Sequence, residues 1–409
     1  MSSPAASSRG SSESHERTAS LTSTVYYKQE SFKTFQDRVF QLCEEVLAPP
    51  NSQITVEKMR GGSYNRVIAI TWTSNDDCKA HHFILRVPRD WPVSIGRHLG
   101  PLKLLYQQGR IPVPEVVKFD TTLKNILGLP YMLQVRMPGK SLDFTYHDLP
   151  HHTKCAIATR VGEVFASLHS IRSVVAGRPT MSLKEIRVAR FRDPEERWTN
   201  AMPDLVPYEN GPTSQSTFDL IHAIIAPQLE RAISQNEEVE RVNYLQQILS
   251  VASEMHKFDV WGENGYCICH MDLALRNIMV EEPSLTNSSG MTGILDWDSA
   301  IFAPLVMSCT PPRWLWASYP DWIEYGEDEW YDTKDFLACD SLSPESCELK
   351  KFFENAAGPV YARLAEGPQY RLARRLLRFV FQLSHYDAHL ANFDEVAEQW
   401  AIIRGPQCG

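Results

Sequence analysis

The spacing of apolar residues changes once along this chain, and that change constrains the fold more than any other feature. Between about residues 52 and 137 apolar residues come in short runs, ITVEKM, RVIAITW, FILRVP and PYMLQVRM, separated by turn formers such as GGS and SNDD. The first three runs predict an antiparallel meander, and PYMLQVRM a further strand. One helix lies between them, with Ile95, Leu99, Leu102 and Leu105 on a single face. The segment IPVPEVVKF follows and is extended, because each residue before a proline is pushed out of the α region. After about residue 150 the spacing is helical: Ile157, Val161, Val164, Leu168 and Ile171 form one face, Leu245, Ile248, Ala252 and Met255 another, and Leu372, Leu376, Phe379 and Leu383 a third. Residues 266–296 return briefly to strands, YCICH, NIMV and TGILD, while 172–217 shows no clear period. The fold class expected is α+β. A small antiparallel β lobe over 26–137 precedes a large helical lobe over 138–409 with an embedded hairpin. Residues 1–25, rich in Ser, Ala and Thr, are expected to be a disordered tail.

Composition narrows the partners. The chain of 409 residues is 43% hydrophobic and 22% charged, an ordinary globular balance. Its net charge of −9 repels polyanions, so neither nucleic acid nor an anionic membrane is expected as a partner. No apolar run resembles a signal-peptide core or a membrane span, which predicts a soluble, cytoplasmic protein. Nine cysteines, without a CxxC pair, predict reduced thiols. Cys267, Cys269 and His270 read better as alternating packing residues on a strand than as zinc ligands.

The chemistry concentrates in His270-Met271-Asp272-Leu273-Ala274-Leu275-Arg276-Asn277, followed by the strand Ile278-Met279-Val280 and, 19 residues after Asn277, by Asp296. This is the H-x-D-x-x-x-x-N pattern with a strand-borne Asp, the spacing of a phosphoryl-transfer site. Transfer from a nucleotide needs a divalent cation, and Mg²⁺ prefers hard oxygen ligands. Asn277 and Asp296 supply an amide and a carboxylate at the two ends of one hairpin, so its register sets them beside one ion. Asp272 is then the acceptor of a substrate hydroxyl proton, and His270 anchors the loop. Asp298 is either a further metal-shell carboxylate or a solvated loop acid. Gly61, Gly62 and Ser63 form a turn where backbone N–H groups can approach a phosphate, although the same residues suit an ordinary hairpin turn.

HMDLALRNIMV with ILDWDSA resembles the catalytic core of the aminoglycoside phosphotransferase and choline kinase-like family. DWDSA stands where protein kinases carry DFG, and no APE segment follows. GGSYNRVIAI, FILRVP, IPVPEVVKFD and LPYMLQVRMPGKSL extend the resemblance over roughly 50–400, and SCTPPRWLW is similar to the family's fungal members. The resemblance implies a bilobal protein kinase-like fold, ATP and Mg²⁺ as cofactors, and a small-molecule acceptor. It implies that Arg86 is the cation on the nucleotide phosphates, and that the backbone of Gln134, Val135 and Arg136 meets adenine. The glutamate expected to pair with that cation from the next helix is missing, with Arg97 and His98 near its place.

The resemblance also assigns the region after the metal loop to the acceptor pocket, hence Trp314, Trp316 and Asp321. From 321 to 340 eight acids face one base, a local charge of −7. Acids with aromatics suit a cationic amine, or else a solvated acidic loop. Arg371, Arg374, Arg375 and Arg378 are expected on a solvated helix face. The leading expectation is an ATP- and Mg-dependent phosphotransferase acting on a hydroxyl of a small metabolite. A kinase-fold binding or regulatory protein, and an ATP-dependent ligase-type enzyme, are the alternatives.

Overall fold

The computed structural model describes residues 29–47, 52–59, 65–75, 79–89, 95–182, 185–191, 205–207, 216–262, 265–284, 287–316, 342–381 and 386–405. It divides into two compact units, one within Met1–Leu99 and Pro114–Arg136, the other within Gly100–Val113 and Met137–Gly409.

The first unit is a five-stranded sheet with one helix. Helix α1 (Phe32–Val46) precedes strands β1 (Ser52–Lys58), β2 (Asn65–Ser74), β3 (Ala80–Pro88), β4 (Val116–Asp120) and β5 (Tyr131–Val135). The strand order is β1-β2-β3-β5-β4, and every pair is antiparallel. Strands β1 to β3 are the meander expected from the sequence, whereas β5 lies between β3 and β4, so the last two strands do not follow chain order. Helix α1 was not anticipated, yet Phe35, Val39, Leu42 and Cys43 stand at i, i+4, i+7 and i+8 and are all buried. The Ser31 hydroxyl caps the helix by accepting from the Thr34 N–H at 3.4 Å. The buried face of α1 shares a core with Ile68, Ile70, Leu85, Val87 and Leu133 of the sheet. At ~25 cal/mol per Å² that shared apolar burial is the main force holding helix to sheet.

Helix α2 (Gly96–Gln108) contains the division between the units after Leu99, so its later turns group with the second unit. The second unit continues with β6 (Lys140–Ser141), α3 (His151–Ser170), β7 (Arg172–Ser173), β8 (Arg178–Ser182), β9 (Glu185–Phe191) and β10 (Leu205–Pro207). Helices α4 (Thr217–Ser234) and α5 (Val239–Lys257) follow, then β11 (Tyr266–Cys269), β12 (Ile278–Val280), β13 (Met291–Ile294) and β14 (Ile301–Pro304). Three further helices close the chain: α6 (Pro344–Ala365), α7 (Pro368–Phe381) and α8 (Tyr386–Arg404). The stretch without a clear period therefore holds the three-stranded sheet β10-β9-β8. Two more three-stranded sheets, β14-β11-β7 and β13-β12-β6, carry the embedded hairpin.

Helices α3 and α6 approach closely at Gly162, where an added Cβ would lie 2.4 Å from the Phe353 carbonyl oxygen. Phe165, Phe353 and Tyr361 fill the seam edge-to-face at 4.9–5.7 Å. The arginine face expected to be solvated on α7 is instead partly core: Arg374 is 1% exposed and Arg375 3%. Arg374 donates to the Leu364 and Ala365 carbonyls at 2.8 and 2.7 Å, and Arg375 to Glu395 at 2.7 Å. The carbonyls ending α6 and a carboxylate of α8 satisfy the two guanidiniums, which is what permits their burial. Among the described residues no helix is long and apolar enough to cross a membrane. Six described cysteines, Cys267 and Cys269 included, are free thiols.

Candidate active site

Strand β11 is buried along its whole length and pairs antiparallel with β14 and β7, so it fixes the start of the loop that leaves it. His270, the next residue, is 4% exposed. Its Nε2 lies 2.9 Å from the Leu295 carbonyl oxygen and its Nδ1 3.2 Å from the Asp272 N–H. A carbonyl only accepts and an N–H only donates, so the ring carries its proton on Nε2 and presents a lone pair at Nδ1. Burial pushes the imidazole pKa down, against the Leu295 hydrogen bond and the charges of Asp272 and Asp298, which act upward. A neutral His270 thus ties the Asp272 loop to the segment leading into Asp296.

Asp272 faces two partners. Arg276, four residues onward on the 3₁₀ turn Leu275–Asn277, donates to its Oδ1. The Asn277 side-chain amide donates to the Asp272 carbonyl at 2.8 Å and to Oδ2 at 3.2 Å. With its Nδ2 turned to Asp272, Asn277 directs its amide oxygen the other way. Asn277 is 6% exposed, held by its N–H on the Ala274 carbonyl and by its own carbonyl, which accepts from Leu295 N–H at 2.7 Å.

The hairpin register does the rest. Ile278 pairs with Ile294, so Asn277 stands across from Leu295 and one residue from Asp296. Asp296 is exposed and left-handed, with φ 62° and ψ 52°. Met271, between His270 and Asp272, also has positive φ, 68°. Asp tolerates that region and Met rarely adopts it, so the backbone beside Asp272 is strained. Asp298 is half-buried, and its carbonyl accepts from Arg178.

The donor set near the hairpin mouth, one amide oxygen and the carboxylate of Asp296, fits a hard oxygen-seeking cation. A cavity of about 90 Å³ adjoins the loop, with His270, Asp272, Met307, Thr310, Trp314 and Arg378 among its walls. The Trp314 indole N–H donates to the Leu273 carbonyl at 3.1 Å, which pins this wall to the Asp272 loop.

Residues 313–315 form a 3₁₀ turn, so Trp314 and Trp316 do not share a direction. Trp316 is 3% exposed and packs on Phe353, ring centroids 5.7 Å apart. Asp321, with the rest of the acidic and aromatic stretch after 316, lies outside the described residues, as do Gly61, Gly62 and Ser63.

In the first unit, Arg86 is half-buried on the central strand β3, between Val67 of β2 and Met132 of β5. The Val135 and Arg136 N–H groups already donate, to the Glu115 and His82 carbonyls at 2.8 and 2.9 Å. Those two N–H groups are therefore not the adenine contacts expected of this segment. Gln134 is 6% exposed, and its buried Oε1 has no hydrogen-bond partner among the described residues. Arg97 is half-buried and His98 buried, and α2 contains no acidic residue. Sequence reading overlooked Arg276 as the partner of Asp272. The i, i+4 spacing of Asp and Arg was the available signal.

Residues 55–307 match the sequence profile of the phosphotransferase enzyme family (APH), and Asp272, Asn277 and Asp296 all fall inside the match. No curated protein matches the chain. Among solved structures it is similar to the GDP and kanamycin complex of APH(2")-IIia, at 13% identity over 88% of this chain and 96% of that one, TM-score 0.43. It is also similar to choline kinase from Cryptosporidium parvum Iowa II, at 12% identity, 89% and 93% coverage, TM-score 0.39. An aminoglycoside phosphotransferase from Alicyclobacillus acidocaldarius gives 16% identity, 84% and 92% coverage, TM-score 0.29. These structural likenesses are too distant to add to the assignment, which rests on the profile match over more than half of the chain: the protein belongs to the phosphotransferase enzyme family.

Proposed function

We propose that the protein moves the γ-phosphoryl group of ATP to a hydroxyl of a small metabolite, with Mg²⁺ as cofactor. The observation that carries this reading is the joining of Asp272 to Asn277 through two hydrogen bonds from one amide, with Asp296 one residue from the backbone partner of Asn277. Asp272 accepts the proton of the acceptor hydroxyl as the new O–P bond forms and the bond to the departing ADP breaks. Asn277 Oδ1 and the Asp296 carboxylate hold the metal, with Asp298 as a further candidate ligand. Bound there, Mg²⁺ neutralises the charge that develops on the phosphates.

Arg276 fixes the rotamer of Asp272 through Oδ1 and leaves Oδ2, shared with Asn277, for the substrate. His270 holds the loop and does not exchange a proton with substrate, because both its ring nitrogens are committed. Trp314 is the acceptor-side wall next to Asp272. Arg86 and the Gly61–Ser63 turn serve the nucleotide phosphates. The base meets the Gln134 to Arg136 segment through backbone groups other than the Val135 and Arg136 N–H groups.

One observation favours a second reading, a kinase-fold binding protein without transfer: α2 carries none of the acids that the family resemblance places there. The test for both is incubation with a metabolite extract and γ-labelled ATP, with product identified by mass, beside calorimetry with ATP and Mg²⁺. Labelled product is expected, lost in Asp272→Ala with nucleotide affinity kept. Asp296→Ala is expected to lose metal-dependent nucleotide binding. Nucleotide binding without product supports the second reading; full turnover in both variants overturns the first.

A further inference from the structure

His151 and Cys155 stand at i, i+4 on the first turns of α3, and Glu348 reaches the same place from α6. The His151 Nε2 lies 2.8 Å from Glu348 Oε2 and 3.4 Å from Cys155 Sγ, and all three ligand atoms fall within 4.8 Å of one another. We propose that these three side chains form a binding site for a divalent transition-metal ion of the zinc type. The site is separate from Asp272, Asn277 and Asp296, and its test does not depend on the phosphotransfer reading.

The donor chemistry selects the ion. One imidazole nitrogen, one thiolate sulfur and one carboxylate oxygen are the ligand types of zinc. A thiolate disfavours Mg²⁺ and Ca²⁺, which seek oxygen. Geometry agrees: tetrahedral bonds of ~2.0–2.3 Å put neighbouring donors roughly 3.3–3.6 Å apart. The Cys155–His151 separation of 3.4 Å already meets this, and the His151–Glu348 pair need open only slightly from 2.8 Å.

Charge balances too, since a thiolate and a carboxylate cancel a divalent cation around a neutral imidazole. Cys155 is 8% exposed, whereas the His151 and Glu348 side chains are 33% and 55% exposed. The sulfur therefore forms a shielded floor, and the other two donors form a rim open to solvent. Three protein ligands leave the fourth position to water or an exogenous ligand. Because α3 and α6 are distant in sequence, an ion here clamps the seam that holds Phe165, Phe353 and Tyr361.

The test uses chelator-washed full-length protein titrated with Co²⁺ alone. One equivalent is expected to give the near-ultraviolet thiolate-to-cobalt band and tetrahedral visible bands, both displaced by Zn²⁺. Cys155→Ser is expected to abolish the near-ultraviolet band. His151→Ala and Glu348→Gln are each expected to weaken Co²⁺ binding by roughly tenfold or more. Zn²⁺ is also expected to raise the unfolding midpoint of the wild-type protein but not that of Glu348→Gln, a readout that stands even where Cys155→Ser fails to fold. The absence of a band up to roughly 1 mM Co²⁺ overturns the proposal. So does a band that survives in Cys155→Ser, or unchanged affinity in both rim variants.

Discussion

His270→Leu tests whether the site is held together by one neutral ring. In the native protein that ring receives the Asp272 N–H at Nδ1 and donates from Nε2 to the Leu295 carbonyl, at a position 4% exposed to solvent. Leucine fills a similar volume against Trp297, whose ring centroid is 4.3 Å away, but leaves both backbone groups without a partner. A partly buried orphan costs about 1–2 kcal/mol, so the variant is expected to lose about 2–4 kcal/mol of stability in urea unfolding. The same loss frees Asp272 from the segment that carries Asp296. A displacement of reacting groups by ~1 Å is worth about a hundredfold in kcat, with a much smaller change in nucleotide KM. His270→Gln, able to restore one of the two bonds, is expected to recover part of both. The acid limb follows with a definite sign. The folded pKa of His270 lies below its unfolded value near 6.5, so its contribution is complete above that pH and declines as pH falls toward the lowered pKa. Protonation would put a second N–H on Nδ1, directly against the Asp272 donor. A leucine variant within about 0.5 kcal/mol of wild type and within twofold in kcat would refute this account.

Two further expectations concern the second unit. Burial pushes His169 down to about 4, so between pH 7 and 4.5 the folded state resists a proton that the unfolded state takes up, and stability falls by about 2 kcal/mol through this group. His169→Gln should flatten the pH dependence of urea unfolding by that amount, and parallel curves for variant and wild type would count against it. Gly162→Ala puts a Cβ 2.4 Å from the Phe353 carbonyl oxygen and 2.7 Å from the Ala356 Cβ. Overpacking of about 1–3 kcal/mol outweighs the ~1 kcal/mol gain in helix propensity, so a lower unfolding midpoint is expected and an unchanged or higher one contradicts the close approach.

The sequence made the β1–β3 meander and the two later strands legible because those strands alternate or run apolar between strong turn formers, and it pointed to Asp272, Asn277 and Asp296 because they sit on and beside one continuous hairpin. Helix α1 was equally readable from Phe35, Val39 and Leu42, since its face is a plain helical repeat next to a polar tail. What the sequence hid was tertiary. Arg374 and Arg375 look like a charged surface until the ends of α6 and the acid of α8 supply their partners. Trp314 and Trp316 look equivalent until the 3₁₀ turn at 313–315 sends one to the cavity and the other onto Phe353. The 178–207 sheet left no clean period, because strands of three to seven residues rich in Arg and Pro are too short and polar to show one.

The strain at the site has a physical consequence of its own. Four non-glycine residues among those described have positive φ, and two of them, Met271 and Asp296, flank the hydrogen bonds of His270. A left-handed residue costs of order 1–3 kcal/mol and persists only where its surroundings over-determine it. Here the over-determination is visible. His270 fixes Asp272 N–H immediately after Met271, and the Leu295–Asn277 hydrogen bond fixes the residue immediately before Asp296. The two kinks turn carboxylates away from the regular paths of β11 and β13 at the point where each strand ends. Relaxing either kink to ordinary backbone would gain local energy but break the bonds that hold both acids in one region. The strain is thus offset by the same network that assembles the site. Met271→Gly, which removes the left-handed penalty without touching a hydrogen bond, is accordingly expected to keep the site assembled, whereas loss of His270 removes a bond that holds both kinks in place.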